Sequence, residues 1–426
     1  MQELYLANNQ NFPHSTIHDI NRWVRSFDFS TKTNFTTYKL EGIKALRNVK
    51  IKWDFFHAAV KFWGTEDHVF RFKTAELCPT IEEFSAILGY DLSKKSVADS
   101  CDPRHREILS SALGLSTSIT SSMIEGHMVN LHAVVSRLIN KRTHGVTDNM
   151  QKNFGLVLCY LGEFLLCSGR PGFMDARAIG IVSQVKYGDD LASLILAKFL
   201  GGESQNFLRS PLTLQIWLME RLDMVATPTV ADYGLGNFLS KAILKTKCQT
   251  KSIWVKFLNK KSSVSIQWNC YWWKCPPTLL RSPRSNHIFV VGLRKATLYK
   301  ADILLGQFQY EKGMPGGKGR KHFTPMDINP TYTRNILLGL EMADRGDQSF
   351  VKVHFHRMTT EYSNWLVNKI ADNEDNMVAM RKQFLRDNRE RHKANNYEFK
   401  RRDNDDKVPS TNGTIEQPKE KRLKKK

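Results

Sequence analysis

The stretch Pro79-Thr-Ile-Glu-Glu-Phe-Ser-Ala-Ile-Leu-Gly89 decides the fold class, because it contains the signals for both ends of a helix. Thr80, with Glu83 three residues later, has the pattern of a capping box, in which the first turn satisfies its own free backbone N–H groups. Gly89 suits the left-handed conformation that ends many helices. Four apolar residues recur at helical spacing between these signals: Ile81, Phe84, Ile87 and Leu88. The sequence therefore predicts a helix with one buried face.

The patterns that flank this stretch are mainly helical as well. Apolar residues recur at helical spacing in segments 53–63, 123–140, 154–168, 177–185, 191–200 and 212–222. Segment 91–120 is polar and is predicted to be a connection with short helical pieces. Strand patterns are shorter: 68–72 alternates, and 263–299 is rich in aromatic and β-branched residues, with 288–293 its clearest strand. We therefore expect a mainly α fold, a multi-helix globular domain with a few short strands.

The C-terminal part of the chain differs in composition from the rest. Residues 361–402 have the pattern of a long polar helix, and three apolar positions in it recur every seven residues: Ile370, Met377 and Phe384. Arg391 ends this series, which is short for a coiled coil. Residues 403–426 contain almost no apolar side chains and are expected to be disordered. The predicted organisation is a partly helical lead-in (1–49), a helical domain (50–355), a charged helical extension with a long helix (356–402) and a disordered basic tail (403–426).

The chain is strongly basic. Its 426 residues include 63 Lys and Arg against 42 Asp and Glu, a formal net charge of +21. Residues 381–426 carry +8 of this total, so the remaining +13 belongs to the body of the chain. Such an excess favours association with polyanions, and with nucleic acid before an acidic membrane. The hydrophobic content of 41% excludes collagen-like and wholly disordered classes.

No secretory or membrane-spanning segment is predicted. The N-terminal residues lack the charged region and apolar run of a signal peptide. The longest apolar stretch, 154–167, contains Glu163 and is shorter than the roughly 20 residues of a membrane span. We interpret it as a buried core helix. The seven cysteines are scattered along the chain, which favours reduced thiols in the cytosol or nucleus.

Two basic segments are candidates for phosphate contacts or nuclear import. The glycine-rich loop 313–322 lacks the spacing of a P-loop, and its basic residues are candidate contacts to a nucleic-acid backbone: Lys318, Arg320, Lys321 and His322. A plain exposed turn is the simpler alternative. The chain ends in a compact cluster typical of nuclear-import signals, formed by Lys421, Arg422, Lys424, Lys425 and Lys426. An inert solubilising tail is the alternative there.

Aromatic and basic residues alternate in segment 268–284. Aromatic side chains interleaved with cations can stack on unpaired bases. Four further candidates for contact with nucleic acid follow from this pattern: Trp272, Lys274, Arg281 and Arg284. Packing of the tryptophans in the core is the more common arrangement, and both interpretations stay open at this point.

No sequence motif indicates catalysis, a cofactor or a metal. The pair Glu82-Glu83 is explained by helix capping, and neither Gly-x-Ser-x-Gly nor His-Glu-x-x-His occurs. Cys270 and Cys275, followed by His287, form a close group of soft ligands, but buried thiols explain them more simply than zinc. Four aspartates could be assembled into a nuclease-like metal site, but their spacing in the sequence does not single them out: Asp175, Asp190, Asp223 and Asp232. We expect no catalytic, cofactor-binding or metal-binding residues.

A first block of sequence has a counterpart in a known family. It consists of Phe62-Trp63, then His68-Val-Phe-Arg-Phe72, then residues 76–89. This order resembles the opening block of the plant mobile domain family, a transposon-associated group often labelled aminotransferase-like. Cys78 stands at the family's usual Thr, and Ile87 stands at its first Leu.

Two later blocks support the same resemblance. Ser210-Pro-Leu-Thr-Leu-Gln-Ile-Trp-Leu-Met-Glu-Arg-Leu222 is similar to the family's Pro-Leu-x-Leu-Gln-φ-Trp helix. Val291-Gly-Leu-Arg294, with Gln307-Phe-Gln-Tyr-Glu-Lys-Gly-Met-Pro315 after it, is similar to the Gly-φ-Arg and Gln-Phe-Gly region of the family. Gly306 stands at the family's Arg in this block. The resemblance spans about residues 50–330.

The resemblance implies a mostly helical nuclear protein of transposable-element (retrotransposon-related) origin, and it implies no catalytic residues. Relatives in that family are linked to transposon silencing and genome integrity, and some work with serine/threonine phosphatases. Together with the basic charge, it predicts a non-enzymatic nuclear protein that binds DNA or RNA, or chromatin, mainly through phosphate contacts.

Two other hypotheses stay open. The first is a protein-interaction scaffold, for example with a serine/threonine phosphatase, whose basic tail serves only nuclear import and whose docking element is the 361–402 helix. The second is a transposition enzyme with a carboxylate metal site, which no residue spacing supports.

Overall fold

In the computed structural model, Thr80 and Glu83 form the capping box that the sequence predicts. The Glu83 N–H donates to Thr80 Oγ1 at 3.0 Å, and the Thr80 N–H donates to Glu83 Oε2 at 2.9 Å. Gly89 follows the helix with φ of 74° in the left-handed region. The helix runs from Ile81 to Leu88, and every residue in it except Ala86 is buried.

The structure describes residues 49, 51–64, 68–73, 75–90, 96–98, 102–140, 146–166, 170, 172–185, 189–200, 211–229, 245, 250–262, 265–268, 270–275, 277–281, 288–299, 326–327, 329–346, 364 and 368. All of them belong to one unit, Gln2–Asp372. The other unit, Met1 with Asn373–Lys426, lies outside the described residues. The predicted tail therefore lies outside them, and so do the lead-in and the charged extension apart from residues 49, 364 and 368.

Eleven α-helices lie within the described residues. They are α1 (Trp53–Ala59), α2 (Ile81–Leu88), α3 (His105–Leu113), α4 (Thr117–Ser122), α5 (Leu131–Asn140), α6 (Val146–Tyr160), α7 (Ala178–Val185), α8 (Ala192–Leu200), α9 (Pro211–Arg221), α10 (Lys251–Leu258) and α11 (Pro330–Glu341). Two 3₁₀ turns, Val60–Phe62 and Tyr271–Trp273, and one π-helical segment, Leu161–Leu165, accompany them. None of the helices in the described ranges is long and apolar enough to cross a membrane.

The strands of the described residues are short and pair antiparallel. They are β1 (Trp63–Gly64), β2 (Val69–Phe72), β3 (Ala75–Leu77), β4 (Ile124–Glu125), β5 (Met128–Asn130), β6 (Phe173–Asp175), β7 (Thr278–Arg281), β8 (Ile288–Val291), β9 (Lys295–Tyr299), β10 (Met326–Asp327) and β11 (Asp344–Gly346). They form three sheets of three strands, β1-β2-β3, β4-β5-β6 and β8-β9-β10, and one pair, β7-β11. The prediction of a mainly α fold with a few short strands is confirmed.

One predicted helix begins later than its sequence pattern indicates. The pattern extends from 123 to 140, but residues 124–130 form the β4-β5 hairpin, and α5 begins only at Leu131. Gly126, with φ of 61°, allows the turn. Strand β5 also pairs with β6, where Val129 lies opposite Met174. This distant strand supplies backbone partners that helical periodicity in the sequence does not reveal.

The core of the described domain forms around α2. This helix packs against α8, α9 and β7, while α1 packs against α10 through an edge contact between Phe55 and Trp254 with ring centroids 5.2 Å apart. In the neighbouring hairpin, Arg71 on β2 lies opposite Glu76 on β3, and their side chains form a buried ion pair at 3.0 Å. The core therefore contains buried charges as well as apolar side chains.

The predicted core helix at 154–168 corresponds to the second half of α6 and the π-helical segment Leu161–Leu165 that follows it. Gly162 has no room for a side chain, because a Cβ there would lie 2.6 Å from Leu131 Cδ1 and 3.1 Å from Met174 Cβ. The next residue, Glu163, is buried, and burial raises the pKa of its carboxyl to about 7, against a backbone hydrogen bond from Gly172 that lowers it. This carboxyl consequently titrates near neutral pH.

Candidate nucleic-acid interface

A buried ion pair joins α2 to α9. The Arg221 guanidinium, at the last residue of α9, contacts Glu83 Oε1, and both side chains are almost completely buried. Glu83 Oε2 also accepts a hydrogen bond from Trp217 Nε1 at 2.7 Å. Glu83 therefore does more than cap its own helix, because the same carboxylate holds two side chains of α9.

The residue next to Arg221 binds two tryptophans from a later segment. Glu220 Oε2 accepts hydrogen bonds from Trp272 Nε1 at 2.5 Å and from Trp273 Nε1 at 2.7 Å. Trp272 and Trp273 are 3% and 4% exposed. Buried indole N–H groups need an acceptor, and one carboxylate serves both.

Arg221 and Glu82 attach the same segment at further points. Arg221 Nη1 donates to the carbonyl of Gln267 at 3.0 Å and to that of Trp268. The Leu279 N–H donates to Glu82 Oε1 at 3.0 Å. We call the four residues Glu82, Glu83, Glu220 and Arg221 the clasp. The clasp fixes segment 265–279 to α2 and α9 through side chains that are themselves buried.

The two cysteines of this segment, Cys270 and Cys275, are buried and half-buried. Burial raises the pKa of Cys270 and of Cys275 to about 12 in each case, although nearby Arg221 lowers both. Burial in these surroundings favours the protonated form of both thiols at neutral pH. Within the described ranges, no group of three or more His, Cys, Asp or Glu side chains is placed to hold a metal ion.

Two exposed lysines lie in and just after helix α10, which precedes this segment in the chain. Thr250 caps it by accepting from the Ile253 N–H, and its buried side, with Trp254 and Leu258, packs on α1. Lys256, in the last turn of α10, and Lys260, two residues after the helix ends, are both exposed, and we call these two residues the lysine face. Neither of them forms an ion pair within the part of the chain that the structure describes.

The segment after α10 is tied to the end of α9. Lys261 Nζ donates to the carbonyl of Leu222, and burial lowers the pKa of this ammonium. Arg221, one residue earlier, binds the 267–268 carbonyls. The lysine face and the clasped segment are therefore anchored to the same turn of the chain.

The 3₁₀ turn Tyr271–Trp273 and Lys274 after it form an exposed corner, which we call the Tyr271 turn. Tyr271 is 49% exposed, although its two neighbours are buried. Lys274 is exposed and has a left-handed backbone with φ of 49°. The turn thus presents an aromatic ring and a cation on the outside of a fixed loop.

The structure separates the predicted contact residues. Lys274 is exposed as a contact residue must be, but Trp272 is buried and bonded to Glu220, so core packing is the arrangement found for it. Arg281 lies in β7 opposite Asp344 of β11. The other predicted contact and import residues lie outside the described ones: Arg284, Lys318, Arg320, Lys321, His322, Lys421, Arg422, Lys424, Lys425 and Lys426.

A further signal for the interface is present in the sequence and concerns acidic residues. Between residues 233 and 301 there are thirteen Lys and Arg and no Asp or Glu. This stretch contains the lysine face, the clasped segment and the Tyr271 turn. The acidic side chains of the clasp that bind this stretch come from other parts of the chain and are buried. A count of acidic residues along the sequence therefore selects the same part of the chain as these exposed basic residues.

The comparisons with known proteins identify the family of the chain. A family model, "Domain of unknown function (DUF7745)", matches residues 25–371. No curated protein and no solved structure matches the chain. The matched range covers every element described above, from α1 to β11. The chain belongs to the DUF7745 family of domains of unknown function.

Proposed function

We propose that this protein is a non-enzymatic nuclear protein of transposable-element origin that binds DNA or RNA mainly through phosphate contacts. The observation that supports it is the lysine face, which is exposed and lies in a stretch of 69 residues without an acidic side chain. The resemblance to plant mobile domains supplies the nuclear and transposon-related part of the proposal, and roles in silencing or genome maintenance belong to that part.

Phosphate binding needs cations that are exposed, unpaired and held near one another. Lys256 lies in the last turn of α10 and Lys260 two residues after its end, and both side chains are exposed. Binding of nucleic acid to such a face releases condensed counterions, so the affinity falls steeply with salt and depends little on base sequence.

The buried carboxylates favour a binding role over a catalytic one. Glu82, Glu83 and Glu220 accept hydrogen bonds from a backbone N–H or from indole N–H groups, and Glu83 also pairs with Arg221. A carboxylate that performs general acid–base chemistry must reach a substrate. These three carboxylates are used to hold the fold.

Fluorescence anisotropy with labelled single- and double-stranded oligonucleotides over a salt series tests the proposal on the full chain. We expect binding whose log K falls linearly with log salt. Replacing Lys256 and Lys260 together by glutamine should reduce the magnitude of that slope by about two.

A matched control removes the same charge elsewhere. Arg106 on α3 and Arg137 on α5 are exposed, and their helices pack against α6. Replacing both by glutamine should leave the slope unchanged. A third variant, with the five basic residues at 421–426 replaced by glutamine, measures the share of the tail.

Absence of binding by the unaltered protein at moderate salt would refute the proposal. The scaffold hypothesis, with the basic tail serving only nuclear import, would then take its place. Equal loss of slope in the lysine-face variant and in the Arg106/Arg137 control would instead assign the binding to net charge and not to this face.

A further inference from the structure

The Tyr271 turn differs from the other exposed apolar positions of the described residues. The large apolar side chains that are exposed there are Met150, Ile253, Tyr271, Leu338 and Met342. Tyr271 is the aromatic member of this set, and it belongs to the acid-free basic stretch. The same turn also contains an exposed lysine, Lys274.

The ring of Tyr271 is held in place from below. Its edge contact with Trp272 has ring centroids 5.1 Å apart and an interplanar angle of 80°. Trp272 and Trp273 are fixed in turn by their hydrogen bonds to Glu220. A ligand that stacks on Tyr271 therefore meets a surface that is already ordered, which lowers the entropic cost of binding.

An exposed lysine closes the same turn. The Lys274 N–H donates to the carbonyl of Tyr271 at 3.3 Å, which closes the turn. Lys274 takes a left-handed conformation that residues with a Cβ seldom adopt, and its exposed ammonium group makes no ion pair among the residues that the structure describes. A stacking surface and a free cation thus share one short turn.

We propose that Tyr271 and Lys274 bind single-stranded nucleic acid, with an unpaired base stacked on the tyrosine ring and an adjacent phosphate on the lysine. The inference rests on the proposed function and adds the strand class to it. Base–aromatic stacking tolerates any base because each base has a π-face. In a duplex these faces are covered by neighbouring base pairs, so the turn discriminates in favour of unpaired strands.

The test compares the full chain with Tyr271→Ala, Tyr271→Phe and Tyr271→Trp by fluorescence anisotropy. The probes are a short labelled oligothymidylate and a labelled duplex of the same length. Tyr271→Ala should weaken binding to the oligothymidylate about tenfold, as loss of one stacked base does, and should change binding to the duplex less than about twofold. Tyr271→Phe and Tyr271→Trp keep an aromatic face and should keep the affinity for the single strand.

The outcomes separate this inference from the proposed function. If the unaltered protein binds both probes but Tyr271→Ala weakens neither, or weakens both equally, the stacking site is refuted while phosphate binding stands. If the unaltered protein binds neither probe, both proposals fail. Weak single-strand binding by Tyr271→Phe and Tyr271→Trp would also overturn the inference, because these variants preserve the ring that it requires.

Discussion

Replacing Glu83 by glutamine tests the clasp directly, because it removes a charge and little else. Glutamine at this position still completes a capping box with Thr80. Its amide oxygen still accepts the hydrogen bond that Trp217 Nε1 donates to Glu83. What the variant loses is the negative partner of Arg221, whose side chain is 2% exposed.

The expected cost follows from the surroundings of Arg221. Breaking a buried ion pair by removing one partner costs about 3–5 kcal/mol, since the other charge stays in the interior. Arg221 keeps the carbonyls of Gln267 and Trp268 as acceptors. We therefore expect Glu83→Gln to lower the free energy of unfolding by about 3 kcal/mol, the lower end of that range. Arg221→Met also leaves those carbonyls without their donor and should cost about 4–5 kcal/mol.

Urea denaturation followed by tryptophan fluorescence measures these costs in the full chain. The double variant Glu83→Gln/Arg221→Met should lose at least about 2 kcal/mol less than the sum of the single losses, because no unpaired charge remains. The matched control is Glu125→Gln, whose carboxylate pairs with Arg170 at 2.8 Å with both side chains about half exposed. This exposed pair should contribute less than about 1 kcal/mol. A loss in Glu83→Gln no larger than that in Glu125→Gln would refute the reasoning.

Three further predictions concern other polar groups. Thr80→Ala removes the capping side chain of α2 and should lower the free energy of unfolding by about 1 kcal/mol in urea denaturation, whereas Thr80→Ser should retain the cap. Trp273→Phe keeps an aromatic ring but removes one of the two donors to Glu220, and should cost about 1–2 kcal/mol in the same assay. Glu163→Gln should remove a pH dependence of stability. Because burial raises the pKa of this carboxyl from 4.5 to about 7 in the folded protein, the folded state holds the proton more tightly. The free energy of unfolding therefore falls as the pH rises from 4.5 to about 7, by up to about 3 kcal/mol. Urea denaturation at several pH values between about pH 5 and about pH 8 measures this loss.

Each of these predictions has an outcome that contradicts it. Equal losses in Thr80→Ala and Thr80→Ser would assign the effect to packing and not to the cap. A Trp273→Phe variant as stable as the unaltered protein would mean that its hydrogen bond to Glu220 contributes nothing. If stability falls with pH equally in Glu163→Gln and in the unaltered protein, another group titrates in that window.

The elements that the sequence predicted best are those whose stabilising contacts are local. The α2 capping box joins residues three apart, and the apolar spacing of α1 and α7 reports the face that each helix buries. The predicted start of α5 was wrong because residues 124–130 form the β4-β5 hairpin, and its second strand also pairs with β6, more than forty residues later. The spacing of apolar residues within a segment contains no information about a pairing strand so far away in the sequence.

The clasp shows the same limit for the candidate site. Local spacing explains Glu83 as a cap, but its contact with Trp217 joins residues 134 positions apart, and that of Glu220 with Trp273 joins residues 53 apart. The choice between Trp272 as a stacking surface and Trp272 as core depended on where Glu220 lies. The exposed aromatic ring of this turn is that of Tyr271, the residue before Trp272.

The sequence by itself determined the helical class, the bounds of its best-capped helix and the excess of positive charge, including the acid-free stretch 233–301. These properties depend on neighbours in the chain or on composition alone. Only the tertiary structure decided which charges are buried and which face solvent. Burial depends on contacts between segments that are distant in sequence, and it converts Arg221 into a structural group while leaving Lys256, Lys260 and Lys274 exposed at the surface.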